Sequence, residues 1–232
     1  MASFFTSAPE FLVPVPRELA ETGFLIEPIS NSEKAIELAY AARSSFEWSP
    51  TTAFVLGNGP LGLLCLGLLE QHGIERIYCL GRRSRPDRTI DFIERFGATY
   101  VDSRETPVDA VAEVYEPMDL VCEATGHAAH AFETIDALAP NGVGVLLGIP
   151  SDQRFEIEGG RLHREFVLEN KALVGSVNSH VPQFRRAIDT LTGYPDWVTD
   201  AIITDVFEPE AVDSAFDPGS GRIKTVVEFD TL

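Results

Sequence analysis

Phe54-Val55-Leu56-Gly57-Asn58-Gly59-Pro60-Leu61-Gly62-Leu63-Leu64 reads as a buried strand that turns through a glycine-rich corner into an apolar helix. The spacing is G-x-G-x-x-G. Gly57 suits a tight turn, Gly59 lets backbone approach a pyrophosphate, and Gly62 lets the new helix lie close on the sheet. The free N–H groups and positive dipole end of that helix attract phosphate. A second strand-like run, Arg76-Ile77-Tyr78-Cys79-Leu80, follows at the distance a βαβ unit requires. The alternative is a structural strand-to-helix turn that holds no ligand.

Just past that second strand, a binder of NAD places an Asp or Glu against the ribose 2′-hydroxyl. Here the chain reads Gly81-Arg82-Arg83-Ser84-Arg85, with no carboxylate. Guanidinium groups at Arg82 and Arg83 form charge-assisted bonds with a 2′-phosphate, and Gly81 is expected to leave room for it. NADP is therefore predicted over NAD, which would bind more weakly. The other reading is a solvated basic loop, unusual on so acidic a chain. The missing acid also counts against an S-adenosylmethionine methyltransferase.

The 232 residues can bury a sizeable core, and 44% hydrophobic content places the chain among globular proteins. No apolar run is long enough to span a bilayer, and Met1-Ala2-Ser3-Phe4-Phe5 lacks the basic start and apolar core of a signal peptide. A soluble cytoplasmic protein is expected. The formal net charge is -18, and only Lys34, Lys171 and Lys224 are lysines. Such a surface repels nucleic acid and anionic lipid, so neither is an expected partner. High acid with little lysine suits a protein of a salt-loving archaeon, whose fold should loosen at low salt. An ordinary acidic protein is the alternative. Cys65, Cys79 and Cys122 lie in apolar runs without metal-ligand spacing and read as buried thiols.

From Thr51 onward strands and helices alternate, which predicts an α/β fold with a doubly wound parallel sheet. Strands are expected over 53–56, 77–80, 99–101, 120–123, 144–147 and 173–175, with helices over 61–71, 89–96, 107–114, 128–138 and 162–170. Beyond them come a helix over 181–192, an element beginning at 197–201, a strand over 202–207, a short helix over 209–216 and a strand over 223–229. Before the glycine corner, residues 10–16 read as a strand ending in prolines, 19–24 as a short helix and 25–29 as a loop. A longer helix is then expected from Ser32 to Arg43, capped by Ser32 or Asn31. The strands over 11–15 and 223–229 have no place in the main sheet and need another.

The proline-flanked strand, the glycine-rich unit, Leu147-Gly148-Ile149-Pro150, Gly175-Ser176-Val177-Asn178 and Gly221-Arg222-Ile223-Lys224-Thr225 together resemble the medium-chain dehydrogenase/reductase superfamily. Within it the chain looks like the zinc-dependent, NADP-preferring glucose (aldose) 1-dehydrogenases of haloarchaea. The likeness runs over essentially the whole chain and is most specific at Gly81-Arg82-Arg83, Phe24-Leu25-Ile26-Glu27-Pro28 and residues 174–180. It implies a Rossmann sheet flanked by remnants of a second, mainly β catalytic domain. Residues 1–30 would be the end of that domain, 31–178 the dinucleotide-binding unit and 179–232 the return segment. The implied reaction is oxidation of glucose at C1 to gluconolactone, with hydride passing to the nicotinamide.

Residue by residue, the resemblance puts Asn58, Gly59, Pro60 and Leu61 on the pyrophosphate and Arg82 with Arg83 on the 2′-phosphate, and Gly57 and Gly62 complete the cofactor-binding corner. Ala124, Thr125 and Gly126 would line the cofactor cleft; Leu147, Gly148, Ile149, Ser176 and Val177 would face the nicotinamide; Asn178 would reach cofactor and sugar. Glu27 would serve the catalytic zinc and the sugar hydroxyls, although without the resemblance it reads as a surface or helix-entry acid. Family members begin with a domain that supplies a Cys or Asp zinc ligand, a His-Glu pair and a further sugar-binding Glu, and this chain lacks those residues. Met1 is thus expected to be a misassigned or internal start, or the product of a disrupted gene. His127 and His130 offer too few ligands to replace them. The alternative to an enzyme is a truncated, non-catalytic NADP-binding module. A short-chain dehydrogenase is rejected, since no tyrosine begins Tyr-x-x-x-Lys. The full-length relatives suggest a homo-oligomer joined edge to edge through its sheets.

Overall fold

The computed structural model describes residues 6–217, 219 and 221–229, so the reading of residues 1–5 lies outside them. Its centre is a six-stranded parallel sheet in the order β3-β2-β1-β4-β5-β6. The strands are β1 (Thr52–Leu56), β2 (Arg76–Gly81), β3 (Thr99–Asp102), β4 (Met118–Glu123), β5 (Leu138–Leu146) and β6 (Ala172–Gly175). The central strand is buried along its whole length because helices cover both faces. Phe54 and Leu56 join Leu80, Val101 and Val121 on one face, under α4 (Val111–Val114) and α5 (His130–Ala137). Ala53 and Val55 turn to the other face, with Cys79, Cys122 and Val145. That face packs on α1 (Ile26–Ala42), α2 (Pro60–Gln71), α7 (Val181–Thr192) and α8 (Asp196–Ile202). The three cysteines are free and buried, as their apolar settings predict, and burial pushes the Cys79 thiol well up. Two further helices, α3 (Arg88–Arg95) and α6 (Gly159–Leu168), complete the crossovers.

Three expectations before the glycine corner are overturned. Residues 10–16 form no strand: Pro9–Phe11 is a single 3-10 turn, and Phe11 stands in solvent at 72% exposure. Residues 19–24 give 3-10 turns at Arg17–Leu19 and Gly23–Leu25 instead of a helix. Helix α1 starts at Ile26, so the loop expected over 25–29 is mostly its first turn, and the start lies five or six residues before the expected cap at Asn31 or Ser32. Pro28 falls in its first turn, where a missing N–H leaves no bond unmade. Ser30, Asn31 and Ser32 point back to Glu27 and Pro28 rather than capping forward. The strand expected near the C-terminus forms as β8 (Lys224–Val227), outside the main sheet as predicted. It has a partner within the chain, pairing parallel with β7 (Ile203–Phe207), and α9 (Val212–Ala215) lies between them in sequence.

Helix α1 precedes the sheet in sequence yet is tied to it at both ends. Near its start the Ser30 hydroxyl donates to Ser179 Oγ at 2.9 Å, and Lys34 Nζ donates to the Val177 carbonyl at 2.8 Å. At its end Arg43 donates to the carbonyls of Asn141 (2.8 Å), Gly142 (2.9 Å) and Asn170 (2.7 Å). One planar guanidinium thereby satisfies three carbonyls where β5 and β6 enter the sheet, a geometry lysine lacks.

Candidate functional site

The carboxyl ends of β1, β2 and β4 open onto a cleft of about 610 Å³, at the point where the strand order reverses about β1. Ligands of open α/β sheets bind at such a switch point. Gly57 has φ of 107°, a conformation costly for any residue with a Cβ, and its N–H donates to Leu80 O at 3.1 Å. A Cβ on Gly62 would stand 1.9 Å from the Gly57 carbonyl oxygen, so only glycine lets α2 leave the corner at this angle. In front of Gly59, by contrast, a Cβ would meet nothing within 4 Å. The corner therefore leaves α2 without a side-chain cap and its N-terminus facing open space.

Arg82 and Arg83 line the cleft, as do Gly57, Asn58 and Thr125. Among the described residues Arg82 has no ion pair, and Arg83 has one weak contact, to Asp87 at 3.6 Å. Arg85 turns away to Glu94 on α3. The expected role of Gly81 needs correction. A Cβ there would lie 2.7 Å from the Tyr100 ring and 2.8 Å from the Asn58 side chain, so the space it leaves is already filled by protein.

Two further turns stack at the ends of β4 and β5, and one buried acid joins them. Glu123, 2% exposed, accepts through Oε1 from Thr125 N at 2.7 Å and Gly126 N at 3.0 Å, and also from the Thr125 hydroxyl. Its backbone carbonyl accepts from Leu147 N at 2.8 Å and Gly148 N at 3.0 Å. The turns touch so closely that a Cβ on Gly148 would come 2.1 Å from Gly126 N. Ala124, Thr125, Gly126, Leu147, Gly148 and Ile149 are thus brought together. The next strand end carries Ser176, whose N–H donates to Leu146 O while its buried hydroxyl has no partner among the described residues. Val177 and Asn178 are exposed beside it, and Asn178 has φ of 56°, which asparagine tolerates better than most residues.

Glu27 stands exposed in the first turn of α1. Asn31 Nδ2 donates to it at 2.8 Å, and Asn31 Oδ1 accepts from the Ser179 hydroxyl at 2.8 Å. That chain of contacts links Glu27 through Asn31 to Ser179, the sequence neighbour of Asn178. Among the described residues no group of three or more His, Cys, Asp or Glu gathers as a metal site. His127 and His130 lie in the cleft wall with ring centroids 4.6 Å apart, and burial, then His127, pushes the His130 pKa down. Glu123, Tyr100 and Arg104 are site residues that sequence reasoning missed. Only Glu123 left a signal, as an acid closing a buried strand directly before Ala124-Thr125-Gly126.

The fold is a doubly wound parallel α/β sheet of Rossmann type with an open cleft at its switch point. The chain belongs to the family described as "Glucose dehydrogenase C-terminus", whose model matches residues 20–229. It is 57% identical to a glucose 1-dehydrogenase of Haloarcula marismortui over 232 residues, which is 100% of this chain and 65% of that protein. It is likewise similar to a solved structure described as Haloferax mediterranei glucose dehydrogenase in complex with NADP, Zn and gluconolactone, with 57% identity and a TM-score of 0.97. That match covers 100% of this chain and 66% of the other. A 2R,3R-butanediol dehydrogenase of Bacillus subtilis, 24% identical with a TM-score of 0.73, covers 92% of this chain and 59% of that one, and shares the fold. The chain therefore spans 65–66% of the length of the two haloarchaeal glucose dehydrogenases.

Proposed function

We propose that this chain is the NADP-binding part of a glucose 1-dehydrogenase that oxidises the sugar at C1 to gluconolactone in the cytoplasm. The observation that carries the reading is the pair Arg82 and Arg83 in the wall of the cleft, at the strand end where an NAD binder keeps an acid. The residues present fit a dinucleotide. The open N-terminus of α2, with Gly57, Asn58, Gly59, Pro60, Leu61 and Gly62, would take the pyrophosphate. The turns pinned by Glu123 would hold Thr125, Gly126, Leu147, Gly148 and Ile149 against the nicotinamide, with Val177 and the Ser176 hydroxyl, which has no partner among the described residues, at the next strand end. When bound, the nicotinamide supplies the hydride acceptor. The protein's part is to hold its ring against the sugar and exclude water, with Asn178 and Glu27 directed to the substrate hydroxyls.

In this reading residues 1–30 end a catalytic domain, 31–178 bind the dinucleotide and 179–232 return to the first domain, with α1 straddling the first boundary. Zinc does not fit the described residues by themselves. Glu27 offers one carboxylate, and a catalytic zinc takes about three protein ligands. Any zinc at Glu27 would draw its other ligands from elsewhere, and self-association through the sheet edge belongs to the same full-length picture.

The test is titration of the protein with NADPH and NADH in molar salt, followed by nicotinamide fluorescence. NADPH should bind more tightly, and the double variant Arg82→Ala/Arg83→Ala should lose most of that advantage while keeping NADH. Equal affinities in the parent, or an untouched NADPH affinity in the variant, would sink the reading. A second reading, a module that binds NADP and catalyses nothing, shares the same cleft. Glucose-dependent NADPH formation by this chain with zinc would exclude it.

A further inference from the structure

Strand β3 reaches across to the arginine loop that follows β2. The Tyr100 hydroxyl meets both backbone polar groups of Arg83: it accepts from the Arg83 N–H at 2.8 Å and donates to the Arg83 carbonyl at 2.8 Å. Behind it, Arg104 Nη2 donates to Ser84 Oγ at 2.8 Å and to the Arg83 carbonyl at 3.3 Å. Arg104 is itself aimed by Asp102, through Nε–Oδ1 and Nε–Oδ2 contacts of 2.8 and 3.2 Å. Gly81 makes this possible, since a side chain there would collide with the Tyr100 ring. Residues 82–86 are otherwise exposed, with no regular secondary structure after Gly81.

We infer that Tyr100, braced by Arg104, is a positioning residue for cofactor selectivity: its hydroxyl fixes the Arg83 peptide so that the Arg82 and Arg83 guanidiniums converge on the 2′-phosphate. The inference rests on the NADP reading above. Two long side chains on a free loop would give up much of their binding to ordering, whereas a loop already held loses less. An unphosphorylated ribose offers the guanidiniums no negative charge to meet, and so gains far less from their placement. The brace should therefore act on NADPH alone, and loss of general stability would weaken both cofactors together.

Tyr100→Phe keeps the ring over Gly81 and removes both bonds. Dissociation constants for NADPH and NADH, and for adenosine 2′,5′-bisphosphate against 5′-AMP, are measured on the whole chain in molar salt. The expected result is a loss of about tenfold in NADPH and bisphosphate affinity, roughly the worth of two modest hydrogen bonds, with NADH and AMP unchanged. A parental NADPH to NADH ratio in the variant, or equal weakening of all four ligands, overturns the inference. Should Tyr100→Phe fail to fold, Arg104→Gln is read the same way: a retained ratio overturns it, and a lost ratio with intact NADH binding supports it. If the parent protein shows no preference for NADPH, the NADP reading itself fails. If the parent prefers NADPH and Tyr100→Phe does too, only the inference about Tyr100 fails.

Discussion

Replacing Gly62 by alanine sets two opposing effects against each other at one atom. Inside a helix, alanine is favoured over glycine by about 1 kcal/mol. At this position the new Cβ would lie 1.9 Å from the Gly57 carbonyl oxygen, 3.0 Å from its carbon and 3.2 Å from Val55 Cγ1. Backbone and a buried β-branched side chain cannot swing aside, so α2 must slide off the corner by about an ångström. Overpacking of this kind costs ~3 kcal/mol at the upper end of its usual range, leaving a net loss of about 2 kcal/mol. For a chain of this length that lowers the thermal midpoint by roughly 4–8 °C. Gly160, in the first turn of α6 with nothing within 4 Å of its would-be Cβ, is the internal control, and Gly160→Ala should hold or raise the midpoint. Thermal unfolding of both variants in molar salt checks the sign, and a nucleotide titration adds a second readout. Displacing the Gly57 carbonyl should weaken NADPH and NADH alike. A Gly62→Ala protein as stable as its parent, with parental affinities, would refute the claim that this close approach sets the corner.

Acid should destabilise the fold through His130. Burial, then the neighbouring His127, holds its pKa below the ordinary 6.5, so the unfolded chain takes up the proton first. Stability is therefore complete above about pH 6.5 and falls as pH drops from there through the depressed native value. Unfolding midpoints between pH 8 and 5.5 should show a slope that His130→Gln flattens, and an equally steep slope in that variant would remove His130 as the cause. Lowering salt from 1 M to 0.1 M lengthens the screening distance from about 3 to about 10 Å. With a net charge of -18 the midpoint should fall over that change, and an unchanged midpoint would mean that repulsion among the surface acids is negligible.

Much of this architecture was legible because a buried parallel sheet writes itself in apolar runs. All six strand positions were marked by such runs, and Gly57 and Gly62 do in the structure what their spacing implies. The failures are instructive in a different way. Phe11-Leu12-Val13 has strand composition, but a strand needs a neighbour, and among the described residues none lies beside it. Asn31 and Ser32 look like a helix cap, yet a residue of that kind bonds backward as readily as forward once the helix has begun upstream. Pro28 concealed that beginning because a proline reads as a breaker in sequence although it is harmless in a first turn. Tyr100 was invisible for a third reason. Its grip on Arg83 depends on the pairing of β2 with β3, which sets Gly81 against Asp102 and Cys79 against Tyr100, and no spacing along the chain records a register between strands.

The ties at the two ends of α1 divide the molecule mechanically in a place the residue order does not suggest. Held by Ser179 and Val177 at one end and by Arg43 at the other, the helix is a lever welded to the sheet. Residues 17–25 are anchored with it, because Leu19 and Leu25 are buried in the same core as Ile26, Ile29 and Ile36, and the chain comes away from the core only ahead of Arg17, where Phe11 and Leu12 stand exposed. Glu27 sits on that anchored part, and the contacts Glu27–Asn31–Ser179 make the acid and the backbone beside Asn178 features of one rigid piece.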